Sequence, residues 1–452
     1  MIAQRPIITR FAPSPTGLLH VGNIRQAIHN WLFAKANGGA FLLRIDDTDA
    51  ARSSEEYVDA IRADLDWLGI TPDGEERQSA RFDRYQAVFD QLAAAGRIYP
   101  CYETPEELDI RRKILLSRGL PPVYERTALS LSADEQAARD AAGQRPHWRF
   151  LLDHASPIDW TDLVRGDQHF DPALLSDPVI RRADGSWLYM LPSAIDDADM
   201  GISHVIRGED HVSNTATQIQ MFSALGAPTP CFAHTALLTG SEGKLSKRLG
   251  SLGVQHFRDI GIEPAAIIAK LARLGTSDPV EPFTDSAPLI ASFTFAHFGR
   301  APARFDESEL AQLNARIIHQ LPFASVASRL PAGMDAAGWD AIRPNLSTVA
   351  QAADWWAIVT GPIAPAPADA ADAAFLVDAA THAENMAWDA QPWAVLTTAL
   401  KDATGRKGKA LFLPLRRALT AMDHGPDMGA LLPLIGREQT VARLRAAAQS
   451  AG

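Results

Sequence analysis

The sequence has only two cysteines among its 452 residues, Cys101 and Cys231, and they lie far apart. This scarcity predicts that the protein has no structural disulfide and works in a reducing compartment, for which the cytoplasm is the simplest choice. No apolar run reaches the roughly 18 residues that cross a bilayer, so we predict no membrane span. The opening segment MIAQRPIITRFAPS lacks a basic and then apolar leader, so we do not expect secretion.

Positive charge is also scarce, since the net charge is −11. Taken alone, this charge argues against a protein that binds nucleic acid by bulk electrostatics, but it does not exclude local basic patches on an acidic body. Residues 405–417, GRKGKALFLPLRR, form one such patch. Its cationic residues are Arg406, Lys407, Lys409, Arg416 and Arg417. A solvated helix face or loop has the same composition, so both interpretations stay open.

A chain of this length exceeds a single hydrophobic core and should divide into about three or more domains. In the N-terminal part, the apolar runs 7–11 and 40–45 predict buried strands, and helical spacing over 24–32 predicts a helix between them. Ser53 with Glu56 forms a capping box that predicts the start of a second helix. This order predicts a parallel sheet whose ligands lie beyond the carboxyl ends of its strands.

The pattern changes further along the chain. Residues 99–185 combine polar helices with proline-marked breaks, after which strand-like runs at 204–210 and 234–239 flank a helix. These runs indicate that the sheet resumes after an insertion. Beyond residue 255 the pattern indicates successive helices. The predicted fold class is therefore an α/β catalytic domain with an α/β insertion, followed by an all-α C-terminal half.

The segment RFAPSPTGLLHVGN, residues 10–23, connects the first predicted strand to the first helix. Gly22 at the helix entrance allows a ligand to approach the backbone closely, and a helix N-terminus favours phosphate. His20 can donate a hydrogen bond to a phosphate oxygen. A lone histidine is often a satisfied structural residue, so His-x-Gly by itself leaves both readings open.

A second candidate motif is GSEGKLSKRLGS, residues 240–251. Lys244 and Lys247 flank Ser246 in a glycine-rich loop. Such a loop can close over a polyphosphate, and its cations can stabilise the charge that develops there in a transition state. A plain solvated basic loop is the alternative.

Together the two motifs resemble those that bracket the ATP site of class I aminoacyl-tRNA synthetases. Within that class, residues 10–23, FLLRIDDTD (41–49), VIRGEDHVSNT (205–215) and GKLSKR (243–248) are similar to bacterial glutamyl-tRNA synthetases. The similarity continues into TGRKGKALFLPLRRALT (404–420), so it covers most of the chain. It implies a Rossmann-type catalytic domain, ATP as a substrate, Mg²⁺ bound with the ATP, and tRNA as a partner.

The resemblance also implies roles for particular residues. Those that hold ATP or act on its phosphates are implied to be His20, Gly22, Asn23, Lys244, Ser246 and Lys247. Those of the glutamate pocket are implied to be Arg10, Ala12, Ser14, Asp46, Tyr189, Ser193 and Arg207. Asp46 is expected to hold the α-ammonium group and Arg207 the side-chain carboxylate, because arginine offers a rigid, always charged, bidentate fork.

The resemblance divides the chain into four functional parts. They are a Rossmann-type catalytic domain at 1–98 and 187–255, an insertion that binds the tRNA acceptor end at 99–186, a helical stem-contact domain at 256–320 and a helical anticodon-binding domain at 321–452. The basic residues of 405–417 then become candidates for tRNA contact. The implied partners are L-glutamate, ATP and tRNA(Glu), with tRNA(Gln) as a further substrate in the alternative of a non-discriminating enzyme. A monomer and tRNA-dependent activation are expected.

The sequence departs from the family pattern in three places. Asp46 stands where many relatives have glutamate, and Ser193 where others have asparagine, but both changes preserve the charges of the pocket. Some relatives carry a zinc knuckle in the insertion, and here Cys101 has no cysteine or histidine to join it in the later segment 123–129. Because a structural zinc takes four ligands, we predict no structural zinc and no other metal ligand set.

Rival functions explain less of the chain. A small-molecule nucleotidyltransferase would use the turn at 10–23 but would leave the helical C-terminal half without a purpose. A tRNA-modifying paralogue would lack that half. A non-enzymatic tRNA-binding paralogue would be expected to have lost His20 or Lys247. Glutaminyl-tRNA synthetase is the nearest enzymatic alternative, but it would be expected to end in β-barrels.

Overall fold

The computed structural model describes residues 5–240, 243–244, 253–364, 370–389 and 391–450. It contains two compact units. The first comprises the residues up to Asp259 together with Ile267–Asp306, and the second comprises Ile260–Ala266 together with the residues from Glu307 onwards.

The first unit begins with a three-stranded parallel sheet and its connecting helices. In chain order the elements are β1 (Ile8–Phe11), α1 (Val21–Ala36), β2 (Ala40–Ile45), α2 (Glu55–Trp67), β3 (Gly74–Arg77) and α3 (Phe82–Ala94). Strand β2 lies between β1 and β3 and pairs in parallel with both. The predicted strand–helix–strand–helix order is confirmed, and β3 is an additional strand that the sequence pattern did not predict.

Helix α2 begins one residue later than the sequence indicated. Ser54 is the N-cap, and its Oγ accepts a hydrogen bond from the backbone N–H of Tyr57 at 3.4 Å. The N–H of Ser53 donates to the carbonyl oxygen of Asp49 at 3.0 Å, which holds Ser53 in the preceding turn. The prediction that Ser53 caps this helix is therefore wrong.

The predicted α/β insertion follows α3. Its elements are β4 (Ile98–Cys101), α4 (Pro105–Ser117), α5 (Ala133–Ala141), β5 (His147–Phe150), β6 (Ile158–Asp162), β7 (Gly166–Phe170) and β8 (Val179–Arg181). Strand β5 pairs antiparallel with β4 and β8, whereas β6 and β7 form an antiparallel hairpin.

The main sheet then resumes. The next elements are α6 (Met190–Asp199), β9 (His204–Gly208), α7 (Val212–Ala224), β10 (Cys231–Thr235), β11 (Leu238–Gly240) and β12 (Gly243–Lys244). Strand β10 pairs in parallel with β9 and with β6 of the insertion. Just before β9, Ser203 accepts from the Ile8 N–H at 2.7 Å and donates its own N–H to the Ile8 carbonyl at 2.9 Å. The spatial order of the strands therefore reverses between β1 and β9. Open α/β sheets bind their ligands at such a reversal.

Residues 234–239 form parts of two strands, so the prediction of a single strand there is wrong. The Ala236 carbonyl accepts a hydrogen bond from the Arg25 guanidinium at 2.6 Å. The Leu237 N–H donates to the Glu209 carboxylate at 3.1 Å. Side chains thus hydrogen-bond the backbone carbonyl and N–H groups that a continuous strand would have paired with a neighbouring strand.

The remaining part of the chain is mostly helical. It continues through α8 (Val254–Asp259), α9 (Pro264–Arg273), α10 (Ala287–Ala291) and β13 (Ala303–Arg304). From Glu307 onwards the second unit contains α11 (Glu307–Ile318), α12 (Phe323–Val326), α13 (Ala336–Ile342), α14 (Ala352–Thr360), α15 (Ala370–Asn385), α16 (Pro392–Thr404), α17 (Lys409–Thr420), α18 (Met428–Ile435) and α19 (Arg437–Gln449). The predicted helical C-terminal half is confirmed. Among the described residues, no helix has the length and apolar character needed to span a membrane.

Candidate active site

A cavity of about 650 Å³ lies at the carboxyl ends of β1, β2 and β9 in the first unit. It brings together ten of the residues that the sequence singled out. They are Arg10, Ala12, Ser14, His20, Gly22, Asn23, Asp46, Tyr189, Ser193 and Arg207. These residues come from segments far apart in the chain, so the fold assembles the phosphate motif and the amino-acid motif into one site.

His20 is the N-cap of α1, and its ring orientation is set by the backbone. Nδ1 accepts hydrogen bonds from the N–H groups of Gly22 and Asn23, at 3.1 and 3.4 Å. A backbone N–H only donates, so Nδ1 carries the lone pair and the proton of the neutral ring is on Nε2. Burial lowers the pKa of His20, which keeps the imidazole neutral at pH 7.

This geometry changes how the helix N-terminus can meet an anion. The sequence suggested that the Gly22 N–H approaches a phosphate directly, but that N–H is directed to the His20 ring. The ring in turn offers Nε2–H as a hydrogen-bond donor. A phosphate at this helix end would therefore be contacted by His20, with the positive end of the α1 dipole behind it.

The floor of the cavity is a network of buried ions. The Arg44 guanidinium donates to both Asp46 oxygens, at 2.7 and 3.2 Å, and to Asp197 at 2.6 Å. Arg10 donates to both Asp197 oxygens at 3.0 and 3.2 Å, and the Ser193 hydroxyl accepts from Arg44 at 2.8 Å. Burial raises the pKa of Asp46, although Arg44 opposes this. Burial would also raise the pKa of Asp197, but Arg10 and Arg44 together hold it below its ordinary value.

Arg44 and Asp197 hold this floor in place, and neither was predicted from the sequence. Arg44 is fully buried, with 0% of its side chain exposed. Arg44 belongs to the motif FLLRIDDTD (41–49) and lies two residues before Asp46. A cation so close to the acidic residues of the motif was the signal that could have identified it. Asp197 lies in α6, where nothing in the local sequence distinguishes it from an ordinary helical aspartate.

Arg207, at the end of β9, is a buried cation of the site that lacks a carboxylate partner among the described residues. Among the described residues, no carboxylate lies within ion-pair distance of its guanidinium. It donates instead to two neutral groups, Thr215 Oγ1 at 2.6 Å and His234 Nε2 at 3.3 Å. Burial lowers the pKa of Arg207 to about 10, so it remains charged at neutral pH. A buried cation of this kind favours a ligand that brings a carboxylate.

A second buried arginine of the cavity wall, Arg25, likewise has no carboxylate within ion-pair distance among the described residues, but its guanidinium is held by backbone groups. The Arg25 guanidinium donates to the backbone carbonyls of Ala236 and Leu274, at 2.6 and 2.9 Å. Both bonds tie α1 to other segments of the first unit, so Arg25 is held in a structural role. Arg207 is thus the better candidate for a ligand carboxylate.

Tyr189 stands at the N-terminal end of α6. Its hydroxyl accepts a hydrogen bond from the Asn214 side chain at 2.6 Å and lies 3.2 Å from His211 Nδ1. Burial raises the pKa of Tyr189, so the phenol stays protonated. It therefore forms a neutral, positioned wall of the cavity.

The described ends of the predicted basic loop both lie at this cavity. Strand β12 pairs antiparallel with β11, whose Leu238 lines the cavity. On the other side of the loop, Gly253 forms a β-bridge with His20. Ser246 and Lys247 lie outside the described residues, as does the side chain of Lys244, and their roles stay predictions.

Comparison with known proteins assigns the family of this site. The model "tRNA synthetases class I (E and Q), catalytic domain" matches residues 6–312, which is more than half of the chain. The chain belongs to this family. A second model, "Anticodon binding domain", matches residues 336–448. As a class I tRNA synthetase, the protein is an ATP-dependent ligase.

Curated relatives of this synthetase match it over nearly its whole length. It is 67% identical over 442 residues to glutamate–tRNA ligase 1 of Rhizorhabdus wittichii, covering 98% of this chain and 100% of that protein. It is 66% identical to glutamate–tRNA ligase 1 of Novosphingobium aromaticivorans, covering 97% and 99%. A crystal structure of a glutamate tRNA ligase from Elizabethkingia meningosepticum in complex with its amino acid matches with a TM-score of 0.85, at 26% identity and 99% coverage of both chains.

The basic patch of the synthetase lies in its second unit, and its members differ in their surroundings. Arg406 pairs with Asp372 and lies 4.3 Å from the ring centroid of Phe375. Arg417 pairs with Asp423 at 2.6 Å, and Arg416 donates to the Pro426 carbonyl at 3.0 Å. Lys407 and Lys409 are exposed. Intramolecular contacts thus hold the three arginines, and the two lysines present their charge to solvent.

The insertion of the synthetase contains a partial set of metal donors. Cys101 Sγ, a Glu103 oxygen and a His147 ring nitrogen lie within 4.8 Å of one another. Strand β5 supplies His147, a donor that segment 123–129 did not offer. Among the described residues the set has three members, whereas a structural zinc takes four ligands. A cationic group lies nearby as well, since the Arg149 guanidinium is 4.0 Å from the centroid of the Tyr124 ring. Burial raises the pKa of the Cys101 thiol to about 12. The donors do not fit a closed zinc site, and the absence of structural zinc stays a prediction.

Proposed function

We propose that this synthetase is a glutamate–tRNA ligase. It activates L-glutamate with ATP to glutamyl-adenylate and pyrophosphate, and it transfers the glutamyl group to the 3′ terminal adenosine of tRNA(Glu). The observation that carries the proposal is the buried Arg207 guanidinium, which has no carboxylate partner among the described residues and faces the same cavity as His20. The names of the full-length relatives support the same conclusion.

The amino acid lies between the ionic floor and Arg207. Asp46 accepts hydrogen bonds from the α-ammonium group, Arg10 takes the α-carboxylate and Arg207 the side-chain carboxylate. Ala12, Ser14, Tyr189 and Ser193 shape the remaining wall. Glutamine would place a neutral amide at Arg207 and leave its buried charge without a counter-ion. A polar mismatch of this kind discriminates by a factor of about 10⁴.

The ATP phosphates lie at the N-terminus of α1. His20 Nε2–H donates to a phosphate oxygen, and Gly22 and Asn23 hold the His20 ring in place. The glutamate α-carboxylate attacks the α-phosphate in line, and pyrophosphate leaves. Lys247, with Lys244 and Ser246, stabilises the leaving pyrophosphate. Mg²⁺ accompanies ATP as its phosphate counter-ion. Catalysis is by positioning and phosphate electrostatics, without a covalent protein intermediate.

The tRNA spans the remaining parts of the chain. Its terminal ribose hydroxyl attacks the adenylate carbonyl while 99–186 holds the acceptor end, 256–320 the stem and 321–452 the anticodon. Lys407 and Lys409, whose side chains are exposed, contact the tRNA backbone. The enzyme works as a cytoplasmic monomer, and activation requires tRNA.

The test is ATP–pyrophosphate exchange with glutamate or glutamine, with and without tRNA(Glu). We expect exchange with glutamate only, and only when tRNA is present. Exchange that depends on glutamine, or no exchange even with tRNA(Glu), would contradict the proposal. Aminoacylation of purified tRNA(Glu) and tRNA(Gln) then tells a discriminating enzyme from a non-discriminating one.

Replacing Gly22 by alanine should disturb His20 selectively. A Cβ at this position would lie 3.0 Å from His20 Cε1 and 3.1 Å from Nδ1, so the ring must shift by a few tenths of an ångström. We expect Gly22→Ala to lower the exchange rate by about tenfold, because small misplacements of a catalytic group are costly. The KM for glutamate and the Tm should change little. A loss confined to glutamate binding would contradict the role of His20 at the phosphates.

Replacing Lys247 tests the phosphate role of the basic loop. Because its charge acts in the transition state, Lys247→Ala should lower the activation rate by roughly 10²-fold and leave the Kd for tRNA nearly unchanged. The rate is measured by pyrophosphate exchange and the Kd by filter binding. Equal losses in rate and tRNA affinity would refute this role.

A further inference from the structure

Two buried residues outside the glutamate pocket set the environment of Arg207. His234, on β10, accepts the Arg207 Nε–H at Nε2, 3.3 Å away. Its other ring nitrogen, Nδ1, lies 2.5 Å from Asp162 Oδ2 at the end of β6. The side chains of His234 and Asp162 are both fully buried, at 0% exposed.

The hydrogen-bond partners determine which nitrogen of His234 carries the proton. Burial alone would raise the pKa of Asp162, but the hydrogen bond from His234 and the backbone N–H of Arg165 hold it below its ordinary value. Burial lowers the pKa of His234, so its ring is neutral. A carboxylate only accepts, so the proton is on Nδ1 and the lone pair on Nε2. That lone pair faces two neighbours, the Arg207 Nε–H at 3.3 Å and the Thr215 hydroxyl at 2.9 Å, and the guanidinium can only donate to it.

Both acceptors of Arg207, the His234 ring and the Thr215 hydroxyl, are therefore neutral. A carboxylate in place of His234 would hold the guanidinium equally well, but it would neutralise its charge and compete with a ligand. The imidazole and the Thr215 hydroxyl accept from Nε and from one N–H group of the fork. The guanidinium has no other acceptor among the described residues, and Arg207 lines the cavity.

We propose that Asp162 and His234 are positioning residues for glutamate specificity. Asp162 fixes the tautomer of His234, and His234 orients Arg207 to take the side-chain carboxylate of the amino acid. Neither residue touches the substrate. The inference rests on the proposed function and deepens it, since it assigns the side-chain specificity of the pocket to a relay from the β6–β7 hairpin.

Asp162→Asn is a sharp test, because the orientation of the new amide is determined. Asp162 Oδ1 accepts the backbone N–H groups of Val164, Arg165 and His234, at 3.0, 2.9 and 3.1 Å. The amide oxygen will keep that position, so the amide NH₂ will face His234 Nδ1. The ring must then carry its proton on Nε2. That N–H opposes the Arg207 Nε–H and competes with the Arg207 guanidinium for the Thr215 hydroxyl oxygen, so Arg207 loses an acceptor.

We expect Asp162→Asn to raise the KM for glutamate by roughly 10- to 100-fold, the equivalent of one charged hydrogen bond. The KM for ATP should change less than about threefold, as should the Ki of L-glutamine, which has no side-chain charge for Arg207 to bind. Asp59→Asn is the control. Asp59 lies on α2, outside the segment proposed to hold the tRNA acceptor end, and it pairs with Arg62 at 3.0 Å with 74% of its side chain exposed, so the KM for glutamate should equal that of the parent.

A second pair of variants covers the case in which Asp162→Asn unfolds. His234→Asn keeps a polar group near Nδ1 and removes the acceptor at Nε2, whereas His234→Gln places its amide oxygen near the Nε2 position. We expect the first to raise the glutamate KM as above and the second to restore it to within about fivefold of the parent. Equal KM values for the two, or a parent-like KM in folded Asp162→Asn, would overturn the relay. If the parent enzyme itself gives no glutamate-dependent exchange, the proposed function fails and not the relay alone.

Discussion

Arg207→Gln is expected to lower kcat/KM for glutamate by about 10³-fold. The glutamine side chain keeps polar volume at the end of β9 but removes the charge, so the buried side-chain carboxylate of the substrate loses its counter-ion. The effect should fall mainly on the KM for glutamate, because the interaction is present in the ground state as well as in the transition state. Pyrophosphate exchange over a range of glutamate concentrations, at saturating ATP and tRNA, measures it.

Arg62→Gln is the control for this substitution. Arg62 is an exposed arginine of α2 that pairs with Glu75 at 2.5 Å, and such surface pairs contribute little. Its kcat/KM should equal that of the parent. If Arg207→Gln changed the KM for ATP as strongly as that for glutamate, Arg207 would not be the side-chain contact.

His20→Ala is expected to produce the second large loss, of roughly 10²- to 10³-fold in the activation rate. The backbone of α1 holds Nδ1, so the ring proton is on Nε2, and in the proposed mechanism this donor acts where charge develops on the phosphates. Because we propose that His20 contacts the phosphates and not the amino acid, the KM for glutamate should stay within about threefold of the parent value. Single-turnover formation of glutamyl-adenylate, measured with labelled glutamate, separates the two quantities.

His169→Ala serves as the matched histidine variant. His169 lies on β7, where its side chain is 69% exposed. It should react at the parent rate when tRNA is saturating. A glutamate KM that rises in step with the loss of rate in His20→Ala would place His20 in the amino-acid pocket and contradict its assignment to the phosphates.

The N-terminal fold was predictable because its signals are local. Helical spacing in 24–32 and the apolar runs 7–11 and 40–45 each report on one element, and all three were found. The wrong predictions concern the start of α2 and the break within 234–239, where the outcome depends on hydrogen bonds that the local pattern does not show. Ser53 and Ser54 both fit a helix cap, and only the hydrogen bond from Ser53 N–H to Asp49 decides between them. Similarly, the break within 234–239 depends on Arg25, which lies more than 200 residues away.

Only the residues that line the cavity of the candidate site were predictable from the sequence. Residues such as His20 and Arg207 belong to long, rare motifs, which the resemblance identifies one by one. The groups that hold these residues in place do not belong to such motifs. Arg44 and Asp197 are 153 residues apart, and Asp162 and His234 are 72 apart, so only folding brings each pair together. A lone aspartate or histidine carries no local signal of such a partnership.

We propose Arg207 as the group that selects a dicarboxylate amino acid. The most direct test is the ratio of kcat/KM for glutamate to that for glutamine in tRNA-dependent pyrophosphate exchange, measured for the parent enzyme and for Arg207→Gln. We predict a ratio of about 10⁴ for the parent and a fall to within about tenfold of unity for the variant. A ratio that survives the loss of Arg207 would contradict the account.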